Sequence, residues 1–192
     1  TKVMTTYLAF EMLASGRLKA NQVFTVSDQA FDDWSGTGST MFLQRGENVT
    51  VDTLLHGITT VSANDGCIVL AQGAAGSVDR WVSLMNRTAH ELGMENSHFG
   101  SPNGWPDEGK TFTTARDLAK LAHAMITRHP DLYRRYVGQH GFAHNGITQV
   151  NHDPITGVIP GADGIKTGFT RQAGYNFLGS AQRGERRLGI VV

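Results

Sequence analysis

The sequence predicts an α/β (α+β) chain with helices first and strands last. From Lys2 to Tyr136, apolar residues recur at three- and four-residue spacing behind good capping residues, the period of helices with one buried face. Beyond Tyr136 the texture changes to short runs of aromatic and β-branched residues broken by glycine-bearing turns, which read as strands. With 192 residues, 40% hydrophobic and 18% charged, the chain is long enough to bury a real core.

Each element has its own signal. Lys2 to Ser15 reads as a helix, with Val3, Tyr7, Phe10 and Ala14 on one stripe and Gly16 as its stop. Val23 to Val26 is a short strand, and Ser27 to Thr40 is expected to be loop, rich in Asp, Ser and Gly. Gln44 to Glu47 is a turn. Thr50 can cap a helix from Val51 to Val61 whose buried side holds Leu54, Leu55, Ile58 and Val61. Cys67, Ile68, Leu70 and Ala71 belong to a second buried helix, which Asn64 or Asp65 could cap. Ser77 caps a helix to Leu92, and Thr114 caps another from Ala115 to Arg128, ended by Pro130. Gly100 to Gly109 is a loop holding Asn103 and Trp105. Phe142 to His144, Ile147 to Val150, Gly161 to Thr170, Gly174 to Ala181 and Leu188 to Val192 read as strands, with Arg183 to Arg186 as a hairpin turn.

Bulk properties exclude several classes. A net charge of zero speaks against nucleic acid or a charged membrane surface as partner. A single cysteine, Cys67, excludes an internal disulfide, and no basic residue near it in sequence marks it as a nucleophile. Eight scattered histidines show no metal-ligand spacing, so neither metal nor cofactor is expected. The chain opens inside an apparent helix and closes inside an apparent strand, which is expected of a piece of a longer polypeptide.

The stretch from Gly161 to Thr170 carries chemistry. Ile165 is the only apolar side chain between Asp163 and Gly168, so the strand suits a sheet edge facing a cleft. Lys166 offers a cation, Thr167 a hydroxyl, and Gly168 a place where a ligand backbone can come close. Lys2 at a helix start can act as a base if neighbouring cations and the helix dipole lower its pKa. Ser62 and Asn64, directly after a buried helix face, can relay protons and hold an amide, or can simply belong to a cap. Lysine at a helix start, Ser-x-Asn and Lys-Thr-Gly form the trio found in penicillin-binding proteins and β-lactamases.

The whole chain resembles the serine-type D-alanyl-D-alanine carboxypeptidases, the low-molecular-mass penicillin-binding proteins of peptidase family S11. Thr1-Lys2-Val3-Met4-Thr5 looks like the tail of that family's Ser-x-Thr-Lys segment. Ser62-Ala63-Asn64-Asp65-Gly66-Cys67 is similar to its second motif, and Thr113 to Leu118 to its Thr-Thr-Ala-Arg-Asp stretch. Asp163 to Gly168, then Ala173-Gly174-Tyr175, resembles the third motif and the strand after it. The resemblance implies a β-lactamase/transpeptidase-like catalytic domain over residues 1–192, an antiparallel sheet flanked by helices with a helical cluster.

It also implies roles. A serine two positions before Thr1 would be the acylating nucleophile, Lys2 its general base, and Ser62 the proton relay to the leaving amine. Asn64 would hold the substrate amide and orient Lys2. Lys166, Thr167 and Gly168 would bind substrate near its carboxylate, and the backbone N–H of Phe169 would join that of the serine in an oxyanion hole. The implied substrate is a peptidoglycan stem peptide ending in D-Ala-D-Ala, the implied inhibitors are β-lactams, and the implied location is the periplasm or the outer face of the cytoplasmic membrane. Membrane attachment would come only from a C-terminal amphipathic anchor beyond this chain.

Several features depart from the family pattern. Members often carry His at the position of Phe169, and some carry His at that of Asn103. The carboxylate-binding arginine and the later β-rich domain are expected past Val192. Three rivals stand beside this reading. A class A β-lactamase would need a Glu-x-x-Leu-Asn loop, which the sequence lacks. An N-terminal nucleophile hydrolase would use Thr1 at the start of a strand, against the helical texture here. A non-catalytic peptidoglycan-binding domain would have no reason to keep Lys2, Ser62, Asn64 and Lys166 together.

Overall fold

The structure, a computed structural model, describes residues 1–192. Its centre is α1 (Lys2–Ala14), in which every residue from Val3 to Phe10 is buried. The expected stripe is present in Val3, Tyr7 and Phe10, but Ala14 is exposed, and Met4, Leu8 and Met12 bury the other faces. The helix is therefore enclosed on all sides, by α3 (Val51–Thr60), α5 (Val78–Glu91) and α6 (Ala115–Arg128). Hydroxyl caps start all three enclosing helices, with Thr50, Ser77 and Thr114 accepting from the N–H of Thr53, Arg80 and Asp117.

Two short elements were not anticipated. The expected loop from Ser27 to Thr40 contains α2 (Asp28–Trp34), capped by Ser27. Only Ala30 is fully buried, with Phe31 and Trp34 partly buried beside it, and seven residues are too few for that pattern to stand out as a period in the sequence. Similarly, β2 (Asn48–Thr50) is a three-residue strand, with only Val49 turned into the core, paired with β1 (Val23–Thr25). The remaining helices are α4 (Asn64–Ala75), which ends on Gly76 in the left-handed region, and α7 (Pro130–Tyr136).

The last third folds as two separate antiparallel units. β3 (Gly141–His144) and β4 (Ile147–Val150) form a hairpin through Asn145-Gly146, both at positive φ as a tight primed turn requires. β5 (Ala162–Thr170), β6 (Gly174–Arg183) and β7 (Arg186–Val191) form a sheet in the order β5-β6-β7, leaving β5 on an edge. Its register contains a bulge. Ala162 faces Ala181 and Gly164 faces Ser180, so Asp163 is the extra residue.

That bulge is anchored by two side chains from outside the strand. Asp163 accepts hydrogen bonds from the Tyr133 hydroxyl of α7 at 3.0 Å and from Arg187 of β7 at 2.6 Å. Arg187 also donates to Ser180 of β6 at 2.5 Å. Side chains alternate along a strand, so a slip of one residue after Asp163 would turn Lys166 to the opposite face of the sheet.

Candidate active site

The site forms where the N-terminus of α1, the start of α4, the 101–105 loop and the edge strand β5 meet. Lys2 lies in the first turn of α1 and donates from Nζ to the backbone carbonyl of Asn103 at 2.6 Å. The loop is fastened to the same helix by Thr5, whose hydroxyl donates to the Pro102 carbonyl at 2.6 Å. Burial pulls the Lys2 ammonium below the ordinary lysine range, while the buried Asp65 carboxylate opposes that shift.

Asn64 is the first residue of α4 and is buried. Its N–H donates to the Ser39 carbonyl at 2.8 Å and its Nδ2 to the Thr37 carbonyl at 3.0 Å. Neither Asn64 nor Asp65 acts as the N-cap of α4, a place taken by Ala63 without any side-chain bond. Asp65 instead accepts the N–H groups of Met41 and Leu43, and so pins the segment that carries Thr37 and Gly38 beside Asn64. Burial raises the Asp65 carboxyl pKa and those N–H donors hold it down.

Ser62 follows the C-cap of α3 at φ 62°, half-buried. Glycine is the usual residue in that left-handed position after a helix. Serine there costs about 1–2 kcal/mol of backbone strain, so its side chain is kept against a local penalty.

Lys166 points from β5 toward the same cleft. Burial first, then the charge of nearby Lys2, lowers its pKa to about 7. Cys67, one turn into α4, is buried between the two lysines electrostatically, and burial pushes its thiol to about 11, so it remains a packed neutral thiol. Lys166 donates to the Thr167 carbonyl at 2.8 Å.

Strand alternation locates the free backbone groups of β5. Phe177 exchanges both of its backbone hydrogen bonds with Val192, so its N–H and C=O point toward β7. Its neighbours Asn176 and Leu178 therefore bond to β5, where they face Gly168 and Lys166. The N–H and C=O groups of Thr167 and Phe169 are consequently left on the open edge. Gly168 has a further reason to lack a side chain, because a Cβ there would strike the Asn176 side chain on the adjacent strand. The Phe169 ring packs on Tyr175 at 4.4 Å and remains exposed.

The structure thus brings Lys2, Asn64 and Lys166 around one cleft, places Ser62 two residues from Asn64, and lines the edge with Thr167, Gly168 and Phe169. The sequence signal for the 101–105 loop was only its Pro/Gly content, and its contact with Lys2 emerges from the fold. The Thr113 to Leu118 motif is structural: Thr114 caps α6, and Asp117 binds the Asn96 N–H and the Ser97 hydroxyl, each at 2.9 Å.

The family model for D-alanyl-D-alanine carboxypeptidases of the S11 peptidases matches residues 1–192. The chain belongs to this family. Among its S11 relatives, the D-alanyl-D-alanine carboxypeptidase DacA of Escherichia coli is 37% identical over 98% of this chain and 47% of its own length. The chain therefore spans about half the length of the curated S11 relatives it matches. Penicillin binding protein 5 from Haemophilus influenzae superposes with a TM-score of 0.93 at 32% identity, over 100% of this chain and 56% of that one. Penicillin-binding protein D2 from Listeria monocytogenes, solved in the ampicillin-bound form, superposes with a TM-score of 0.81 at 28% identity, over 100% and 76%. The fold is the β-lactamase/transpeptidase-like one expected, a sheet flanked by helices with a helical cluster.

Proposed function

We propose that this chain supplies the catalytic cleft of a serine-type D-Ala-D-Ala carboxypeptidase that is inhibited by β-lactams. The observation that carries the proposal is the pair of enclosed lysines. Enclosed ammonium groups are normally paired with carboxylates. The hydrogen bonds of Lys2 and Lys166 go instead to backbone carbonyls, those of Asn103 and Thr167. Such a cleft suits a neutral amine that takes a proton and a second cation that holds an anionic substrate.

The roles follow in order. The serine two positions before Thr1 in the full-length protein attacks the carbonyl carbon of the penultimate D-alanine, and Lys2 takes its proton. The N–H of Phe169, on the open edge of β5, donates to the oxyanion together with that of the serine. Ser62 passes a proton to the departing amine as the C–N bond breaks, and free D-alanine leaves. Water then hydrolyses the acyl-enzyme. Asn64 holds the donor amide, while Lys166 and Thr167 hold the terminal carboxylate on the strand beside Gly168. In a β-lactam the bond that opens is the ring C–N bond.

The stem peptide is the substrate, and the place of action is the periplasm or outer face of the cytoplasmic membrane. No helix of the chain is long and apolar enough to cross a membrane, and attachment is assigned to a C-terminal anchor of the full-length protein. The test is labelling of full-length protein by fluorescent penicillin, with the labelled residue mapped by mass spectrometry. Label on that serine, lost in Lys2→Met, is the expected result. Absence of label, or undiminished label in Lys2→Met, overturns the assignment.

A further inference from the structure

Three consecutive residues of the 101–105 loop line the cleft, the first two beside the start of α1 and the third beside Asn64. The Asn103 carbonyl receives Lys2 Nζ. Gly104, at φ 74°, lies so near Thr1 that a Cβ would come within 2.9 Å of its hydroxyl. Trp105 extends to the other flank. A Cβ added to Gly38 would meet Asn64 Nδ2 at 2.7 Å and a ring carbon of Trp105 at 3.0 Å. The indole edge and the Asn64 amide therefore border one point, and Gly38, with φ 65°, puts no side chain between them.

The ring is both open and fixed. Trp105 is 43% exposed, whereas Trp81 is fully buried. Its other side meets Trp34 in a T-shaped contact, centroids 5.7 Å apart and planes at 90°. The backbone N–H of Trp105 donates to Asn103 Oδ1 at 3.1 Å, closing a local turn that sets where the residue leaves the loop. The loop keeps this conformation although it leaves the buried Nδ2 of Asn103 without a partner.

We propose that Trp105 is a specificity-determining residue, the wall of a subsite for an apolar group carried on the amide that Asn64 holds. In a stem peptide this group is the aliphatic side chain of the residue preceding the two D-alanines. In a penicillin it is the aryl part of the acylamido side chain. The inference rests on the proposed function, because it places a ligand amide at Asn64. From there the next substituent reaches the indole face at stacking distance, roughly 4.5–7 Å between ring centres.

The experiment measures acylation of the full-length protein by benzylpenicillin and by the bare penicillin nucleus, which carries a free amine in place of the acylamido side chain. In Trp105→Ala the ratio of the two acylation rate constants should fall by about tenfold in disfavour of benzylpenicillin. Trp105→Phe keeps a ring against Trp34 and should restore most of the ratio, which guards against a folding defect in the alanine variant. An unchanged ratio in Trp105→Ala, or a Phe variant that matches it, overturns the subsite while leaving the proposed function intact. Wild-type protein acylated by neither compound overturns both.

Discussion

Replacing Lys166 by alanine separates recognition of the substrate carboxylate from the rest of catalysis. The ammonium spends one of its three N–H donors on the Thr167 carbonyl at 2.8 Å, leaving two for a ligand. Lowering its pKa from 10.5 to about 7 corresponds to roughly 5 kcal/mol against the charged form. A carboxylate about 4 Å away returns about 4 kcal/mol at an effective dielectric near 20, so a bound acid recharges the lysine. The net charge-assisted hydrogen bond is worth about 1.5–3 kcal/mol. Lys166→Ala should therefore lower kcat/KM on a D-Ala-D-Ala peptide by roughly ten- to a hundredfold, and by much less on its C-terminal amide. In the free enzyme Lys166 is charged below about pH 7 and neutral above it. The preference for acid over amide should thus be greatest in the acid limb and fall as pH rises through about 7; the ratio cancels any titration of Lys2. The same lysine binds a proton in the unfolded chain up to pH 10.5 but not in the folded one. Wild-type stability should accordingly rise relative to Lys166→Ala between about pH 7 and 10.5. The assay is release of the C-terminal residue, D-alanine from the acid and D-alaninamide from the amide, at about pH 6 and about pH 9. Equal losses on acid and amide, or a preference that is flat with pH, would refute the carboxylate-reading role.

Two further outcomes test the frame around the cleft. Ser62→Gly should slow penicillin acylation by on the order of a hundredfold while raising stability by about 0.5–1 kcal/mol in thermal melts, because glycine relieves the left-handed backbone; lost stability with intact acylation would return Ser62 to a capping role. Asp163→Asn breaks the pairing with Arg187 and should cost about 1–3 kcal/mol of stability, together with part of the acid-over-amide preference through loosened Lys166 register. A lowered melting temperature with the preference untouched would mean that the bulge holds the sheet and nothing more.

The long helices were legible because their apolar spacing and their Ser or Thr caps agree. Helix α2 escapes the sequence reading because its apolar face is only Ala30, Phe31 and Trp34, little more than one turn set among acidic and polar residues, and only Ala30 is fully buried. Strand β2 escapes the sequence reading because a three-residue element with the single inward apolar residue Val49 is too short to show an alternation. At the start of α4 the sequence offered Asn64 or Asp65 as caps, and the fold gave both side chains longer-range work, with Asn64 reaching Thr37 and Asp65 reaching Met41 and Leu43. Gly168 was anticipated as an opening for a ligand, and its neighbour Asn176 supplies an additional steric reason that only the β5–β6 register reveals. The edge position of β5 was readable from its polar composition. The direction of its free N–H groups was not, because that depends on the partner of Phe177 two strands away.

The bond from Lys2 to Asn103 spans 101 residues of chain, and Lys166 lies farther still along it. Contacts of such separation form late, after much loop entropy has been lost. No partially folded species that lacks the docked loop or the edge strand can present both ammonium groups to one ligand. Under the proposed function, covalent capture of the full-length protein by a β-lactam is consequently a readout of complete tertiary assembly, and the fraction of molecules that take label during refolding counts finished native chains rather than collapsed intermediates.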